Sequence, residues 1–217
     1  MHTQAKAKGR RGSRYREPSP AELVVLRLLS EQGAMPLDQL ARFIEVDLGR
    51  AMSVVGGLEE AGCIKYRRFL VGDYPWFWPS MRGSEFAATG FVTRTLVVGG
   101  LAHRRAVNEV CLYLRERAPQ GRWICERRVR RIRDPRDHLP DAVFEINGER
   151  HAIEVELSCK SLDEIRQIVA EHSDRYDAVV YFCGPGTHAF MEGVRDRGRW
   201  PKLVVRRLSE ASDEAVS

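Results

Sequence analysis

The residues best able to do chemistry are three carboxylates and a lysine between Leu139 and Ser161. Asp141 stands in Leu-Pro-Asp-Ala, and Glu154, Glu156 and Lys160 stand in His-Ala-Ile-Glu-Val-Glu-Leu-Ser-Cys-Lys-Ser. There Ile153, Val155 and Leu157 alternate with Glu154 and Glu156. In a strand this places the apolar side chains on one face and both glutamates on the other. Asn147-Gly148 is the strongest short hairpin signal in the chain. Counting outward from that turn, flanked by Ile146 and Glu149, sets positions near Asp141 beside positions near Glu154. Carboxylates gathered in this way suit magnesium, which takes one or two of them together with waters. A metal-bound water is a better nucleophile, the metal offsets charge on a phosphate, and a nearby lysine can do the same.

The order Pro-Asp, short hairpin, Glu-x-(Glu or Lys), then helix resembles the core of the PD-(D/E)-x-K nucleases. The resemblance implies a restriction-endonuclease-like α/β domain with Asp141 and Glu154 as magnesium ligands. Glu156 fills the place where a lysine normally stands, which leaves Lys160 as the candidate lysine. His103, on the helix before the first strand, is a further candidate, because that helix often lends a residue to the site in this fold. The alternative for His103 is a satisfied core histidine. His138 could contact phosphate, or could simply sit in the loop before the strand. A competing reading of the whole domain keeps the fold without the catalysis. In it the carboxylates pair with arginines of the Cys125–Arg133 segment, as crowded carboxylates normally do. The expected function follows this second reading, a DNA-binding protein with a non-catalytic nuclease-like domain. A magnesium-dependent endonuclease is the alternative, and no cofactor is expected without catalysis.

These residues need elements to hold them. Leu101 to Arg117 has a helical apolar stripe of Val107, Val110, Cys111 and Leu114, with His103 one turn earlier, and Pro119 stops it. Strands are expected over Trp123–Ile132, Ala142–Ile146 and His151–Leu157. Ser161 should cap a helix running to about Glu171, and Ala178–Cys183 has the continuous apolar run of a central strand. A helix over Thr187–Arg197 and a strand over Lys202–Leu208 complete an α-β-β-β-α-β-α-β order. Arg122, Arg127, Arg128, Arg130, Arg131, Arg133 and Arg136 form the densest basic cluster. On a strand, Arg128 and Arg130 would share one face and Arg127 and Arg131 the other. Such a strip would contact phosphate or guard a sheet edge.

The N-terminal half has a different pattern. Residues 1–18 are basic, with Lys6, Lys8, Arg10, Arg11, Arg14 and Arg16 ahead of the first acid, and are expected to form a disordered tail. Ser19-Pro20 should open a first helix that Gly33 ends, followed by a helix over Leu37–Glu45. A third, capped by Asp47, should run from Leu48 to Ala61 and pack through Met52, Val55 and Leu58. Ile64–Val71 and Tyr74–Pro79 read as a hairpin around Gly72-Asp73. Three helices and a hairpin make a winged helix-turn-helix, whose third helix reads the groove. Arg50, Ser53 and Lys65 would then lie near double-stranded DNA, with Arg67 and Arg68 on the wing. The expected division is a tail to residue 18, a winged helix over 19–98, a nuclease-like domain over 99–209 and a tail from 210.

The chain also resembles the replication-relaxation proteins of actinobacterial plasmids and mobile elements, from about Ala21 to Leu208. The resemblance rests on Leu101–Asn108, on His138-Leu139-Pro140-Asp141-Ala142, on Ile153–Leu157 followed by Lys160-Ser161, and on Tyr176–Tyr181. It implies a winged helix joined to a restriction-endonuclease-like domain, and a DNA-associated role in replication, transfer or their control. Bulk properties agree with a polyanionic partner: 217 residues, 43% hydrophobic, with a formal net charge of +5. No run suits a membrane span, and no signal-peptide core opens the chain, so a cytoplasmic location is expected. The five cysteines contain no Cys-x-x-Cys pair and read as buried free thiols. Homo-oligomerisation is left open.

Overall fold

The computed structural model describes residues 15–92, 96–132, 137–198 and 200–212. Helix α1 (Pro20–Gln32) begins at Ser19, whose hydroxyl accepts from the Glu22 amide while the Glu22 carboxylate accepts from the Ser19 amide. This capping box, with proline at the first helical position, fixes the start, and Gly33 at φ 83° fixes the end. Strand β1 (Met35–Pro36) and helix α2 (Leu37–Phe43) lead to α3 (Leu48–Glu60), where Asp47 accepts from the Arg50 amide. Strands β2 (Ile64–Arg67) and β3 (Trp76–Pro79) complete a three-stranded sheet of order β1-β3-β2. Leu26, Leu29, Leu40, Val55, Leu58 and Phe77 form the core under it.

Details depart from expectation. Met52 is 46% exposed, and Ala51 takes its place beside Val55 and Leu58. Both strands of the hairpin are shorter than their apolar patterns. Helix α4 (Met81–Ala87) follows with no predicted counterpart, capped by Ser80. It presses so closely on the backbone just before β2 that a Cβ on Gly83 would stand 1.8 Å from the Cys63 carbonyl oxygen. The end of the basic tail is docked: Arg16 donates to the Glu22 carboxylate and to the Gly57 carbonyl. The rest of the tail's basic residues lie outside the described residues, as do Arg133 and Arg136.

A 3-10 turn over Val98–Gly100 opens into α5 (Leu101–Arg117). Strand β4 (Arg122–Cys125), short helix α6 (Glu126–Val129), β5 (Ala142–Ile146) and β6 (Glu149–Glu156) come next. Helix α7 (Leu162–Ser173), β7 (Ala178–Cys183), α8 (His188–Gly198), β8 (Leu203–Arg207) and α9 (Ser209–Ser212) follow. The five strands lie in the order β4-β5-β6-β7-β8, antiparallel from β4 to β6 and parallel from β6 to β8. Helix α7 makes the crossover that parallel neighbours require.

The expected strand over Trp123–Ile132 stops at Cys125 and turns into α6. A strand would have put Val129 on the same face as Arg127 and Arg131. The helix instead buries Val129, at 2% exposure, and lets the arginines radiate. The expected tail from residue 210 is partly folded as well, since Ala211 of α9 is buried in the core that α5 shares with the sheet.

Helix α5 belongs to both halves. Ala106 and Val110 pack with Phe144, Ile153 and Val155 of the sheet, while Cys111 and Leu112 join the winged-helix core. Fully buried Asn108 donates to the Ala34 carbonyl and the Gln39 side chain, each at 3.2 Å. Glu109 accepts from Gln39 and pairs with Arg42, and Arg105 pairs with Asp38. Helix α5, which follows the expected boundary between residues 98 and 99, thus contributes to the cores of both halves.

Candidate functional site

The antiparallel register pairs Ala142 with Ile153, which sets Asp141 beside Glu154 as counting from the hairpin predicts. Helices cover both faces of the sheet, so both faces of β6 are buried. Ile153 and Val155 face α5, while Glu154 and Glu156 on the opposite face are each 4% exposed. A buried carboxylate needs partners, and each of the three acids has found different ones.

Asp141 accepts from the Val155 amide and contacts His103 Nε2, both at 2.8 Å. Burial pushes its carboxyl above the ordinary range, and the neighbouring Glu154 adds to the shift against the pull of His103. The His103 imidazole is raised in turn by its contact with Asp141. Glu154 lies between two histidines: His172 Nε2 is 2.8 Å from its Oε1 and His138 Nε2 is 3.4 Å away. Burial pushes Glu154 up, yet His138 and His172 outweigh it and hold the carboxyl below the ordinary value. Glu156 accepts from Lys160 Nζ at 2.6 Å. Burial works against the Lys160 charge, but Glu156 more than restores it. Tyr181 is paired with Glu154 across β6 and β7, with its hydroxyl buried and unbonded. Desolvation and the nearby acids raise its pKa strongly.

Several expectations change here. Lys160 is hydrogen-bonded to Glu156, and its charge is also supported by the nearby Glu154 and Asp141. Arg127, Arg128, Arg130 and Arg131 make contacts with Ser30, Val92, Glu31, Glu126 and Thr89. His103 is no core histidine: its side chain is 44% exposed and meets Asp141. A cleft of about 170 Å³ at the seam is lined by His103, Asp141, Asn108 and Glu126. His138 is more than a loop residue, since its ring approaches both Glu154 and the His172 ring, 5.4 Å between centroids. Sequence reading passed over His172 altogether. Its signal was its place on the α7 stripe, following Ile165, Ile168 and Val169 at helical spacing. Cys159 is exposed, unlike the other four thiols, which are buried.

The expected magnesium site does not fit these donors. Magnesium demands oxygen ligands in near-octahedral array and keeps several waters. Here Asp141 and Glu154 each carry an imidazole, and the lysine is hydrogen-bonded to Glu156.

The arginine cluster faces the winged helix. Arg127 donates to the Ser30 and Val92 carbonyls, Arg128 pairs with Glu31, and Arg131 donates to the Thr89 carbonyl at 2.9 Å. Arg127 and Arg131 stack over the Phe91 ring, 4.7 and 4.3 Å from its centroid. Arg130, the C-cap residue of α6, pairs with Glu126 at its start. On the winged helix itself, Arg50, Ser53, Lys65, Arg67 and Arg68 are all exposed. The Ser53 hydroxyl donates to the Gly49 carbonyl, and Arg67 lies over the Phe69 ring.

A MarR family model matches residues 19–68, the span from the α1 cap through β2. With the helix order and the small sheet, this makes the N-terminal unit a winged helix-turn-helix domain of the DNA-binding class. No curated protein matches the chain. A solved structure described as "PigF with SAH" aligns over 86% of this chain at 12% identity and a TM-score of 0.24, too loose a superposition to carry an argument. The chain spans about half, 56%, of that structure's length. Among the described residues no helix is long and apolar enough to cross a membrane.

Proposed function

We propose that this protein is a double-stranded DNA-binding regulator of a plasmid or mobile element, with a winged helix that docks on the duplex and a restriction-endonuclease-like domain that serves as a non-catalytic scaffold. The observation that carries the DNA reading is the placement of Arg50, Lys65, Arg67 and Arg68. All four are exposed on the third helix and the wing, and none is in an ion pair among the described residues. The α5-β4-α6-β5-β6-α7-β7 order and the register that sets Asp141 beside Glu154 support the endonuclease-like ancestry. Commitment of Lys160 to Glu156 and of imidazoles to the other two acids supports the non-catalytic part. The motif resemblance supports the mobile-element setting.

The test is a salt titration of duplex binding. Arg67→Ala with Arg68→Ala should weaken binding and reduce the slope of log affinity against log salt by about two, near 0.9 for each phosphate contact. Unchanged affinity and slope would remove the wing from the DNA. Incubation of supercoiled plasmid with magnesium should give no nicking. Nicking that Asp141→Ala abolishes would replace the scaffold with a nuclease.

A further inference from the structure

The geometry points to a binding site for a borderline transition-metal ion of the zinc or cobalt(II) class, formed by His138, Glu154 and His172. These donors come from three elements: the loop before β5, the middle of β6 and the last turn of α7. Their ligand atoms all lie within 4.8 Å of one another. Neither the winged helix nor DNA enters the site, so it stands independently of the proposed regulatory role.

Three observations favour an ion over a hydrogen-bonded triad. First, the partners chosen for the buried Glu154 carboxylate are imidazoles, side chains whose ring nitrogens can serve as metal ligands. An arginine or lysine would have been the simpler counter-charge. Second, His138 Nε2 is buried without a hydrogen-bond partner, aimed at Glu154 Oε1 from 3.4 Å. That is about the separation of two ligands on one tetrahedral ion with bonds of roughly 2.0–2.1 Å. The 2.8 Å contact from His172 needs to open by only about half an ångström to match. Third, the donor set is of the kind borderline ions select, since imidazole suits zinc and its neighbours whereas magnesium prefers oxygen alone. Entry is available through His138, whose side chain is 36% exposed, while Glu154 and His172 form the buried floor. Three protein ligands leave a tetrahedral ion one position for water or an anion.

Full-length protein stripped with a chelator, then titrated with cobalt(II), should develop visible absorption that saturates at one ion per chain. Zinc should displace it, and millimolar magnesium should not. His138→Ala, at the accessible edge, should lose more than the roughly 10–100-fold expected for an outer partner, as should Glu154→Gln. His103→Ala, outside the ligand set, should keep the stoichiometry and spectrum. Thermal unfolding of each variant without metal separates a lost ligand from a lost fold, and His138→Gln supplies a milder replacement. Absence of saturable cobalt binding in the wild-type protein would overturn the site. So would binding that survives His138→Ala and Glu154→Gln, or a thiolate charge-transfer band placing the ion on Cys159.

Discussion

Glu156 illustrates how one residue's surroundings settle its role. Its carboxylate is 4% exposed, and its charge is balanced by Lys160 at 2.6 Å, with the Ser158 amide at 3.4 Å. A lysine placed for catalysis would have to leave this carboxylate stranded. Lys160→Met should therefore cost about 1–3 kcal/mol of unfolding free energy, the penalty of a buried acceptor deprived of its partner. Adding Glu156→Gln to the same chain should recover part of that loss, because both charges are then gone. Urea denaturation of the single and double variants reads the difference. A single variant as stable as the wild type would show that water already solvates Glu156.

At the scale of elements, α1 owes its start to a charge network that the capping pattern alone does not reveal. Arg16, from the end of the basic tail, lowers the Glu22 carboxyl to about 2 through its hydrogen bonds, and the Ser19 cap adds to this against the cost of burial. A depressed carboxylate contributes stability that is present above its ordinary pKa of 4.5 and is lost as pH falls toward about 2. The wild type should lose urea resistance steeply over that window, and Glu22→Gln should flatten the loss while starting from lower stability near neutrality. Equal pH profiles would mean that the Arg16 contact does not persist in solution. Helix α5 carries the other lesson at this scale. Its apolar stripe was legible, but a stripe does not say how many cores it serves. Buried Asn108 and the Glu109–Arg42 pair turn its second side toward the winged helix.

Across the whole molecule, the arginine cluster closes the seam between the two halves. Arg128 pairs with Glu31, Arg131 with the Thr89 carbonyl, and Phe91 lies under the guanidinium groups. Joint replacement Arg128→Ala and Arg131→Ala should leave the salt slope of DNA binding unchanged and lower the thermal midpoint. A slope reduced by about two would return these side chains to the phosphate backbone.

Much of the architecture was determined by the sequence alone, because its signals are local. The Ser19 and Asp47 caps, the Asn147-Gly148 turn and the two-residue period of β6 act within a few residues, and they specified helix starts, a hairpin and the Asp141–Glu154 register. Burial and partnership were decided only by tertiary structure. Alternation separated the two faces of β6, yet whether the glutamate face met water or a helix depended on α7 crossing over it. The same crossover brings His172 from eighteen residues away to Glu154, a distance no local pattern encodes. The arginines after Cys125 likewise read as a strand until the need to bury Val129 coiled them into a helix. Side-chain chemistry and spacing are properties of the chain, whereas desolvation, and with it the choice of counter-charge, belongs to the packed molecule.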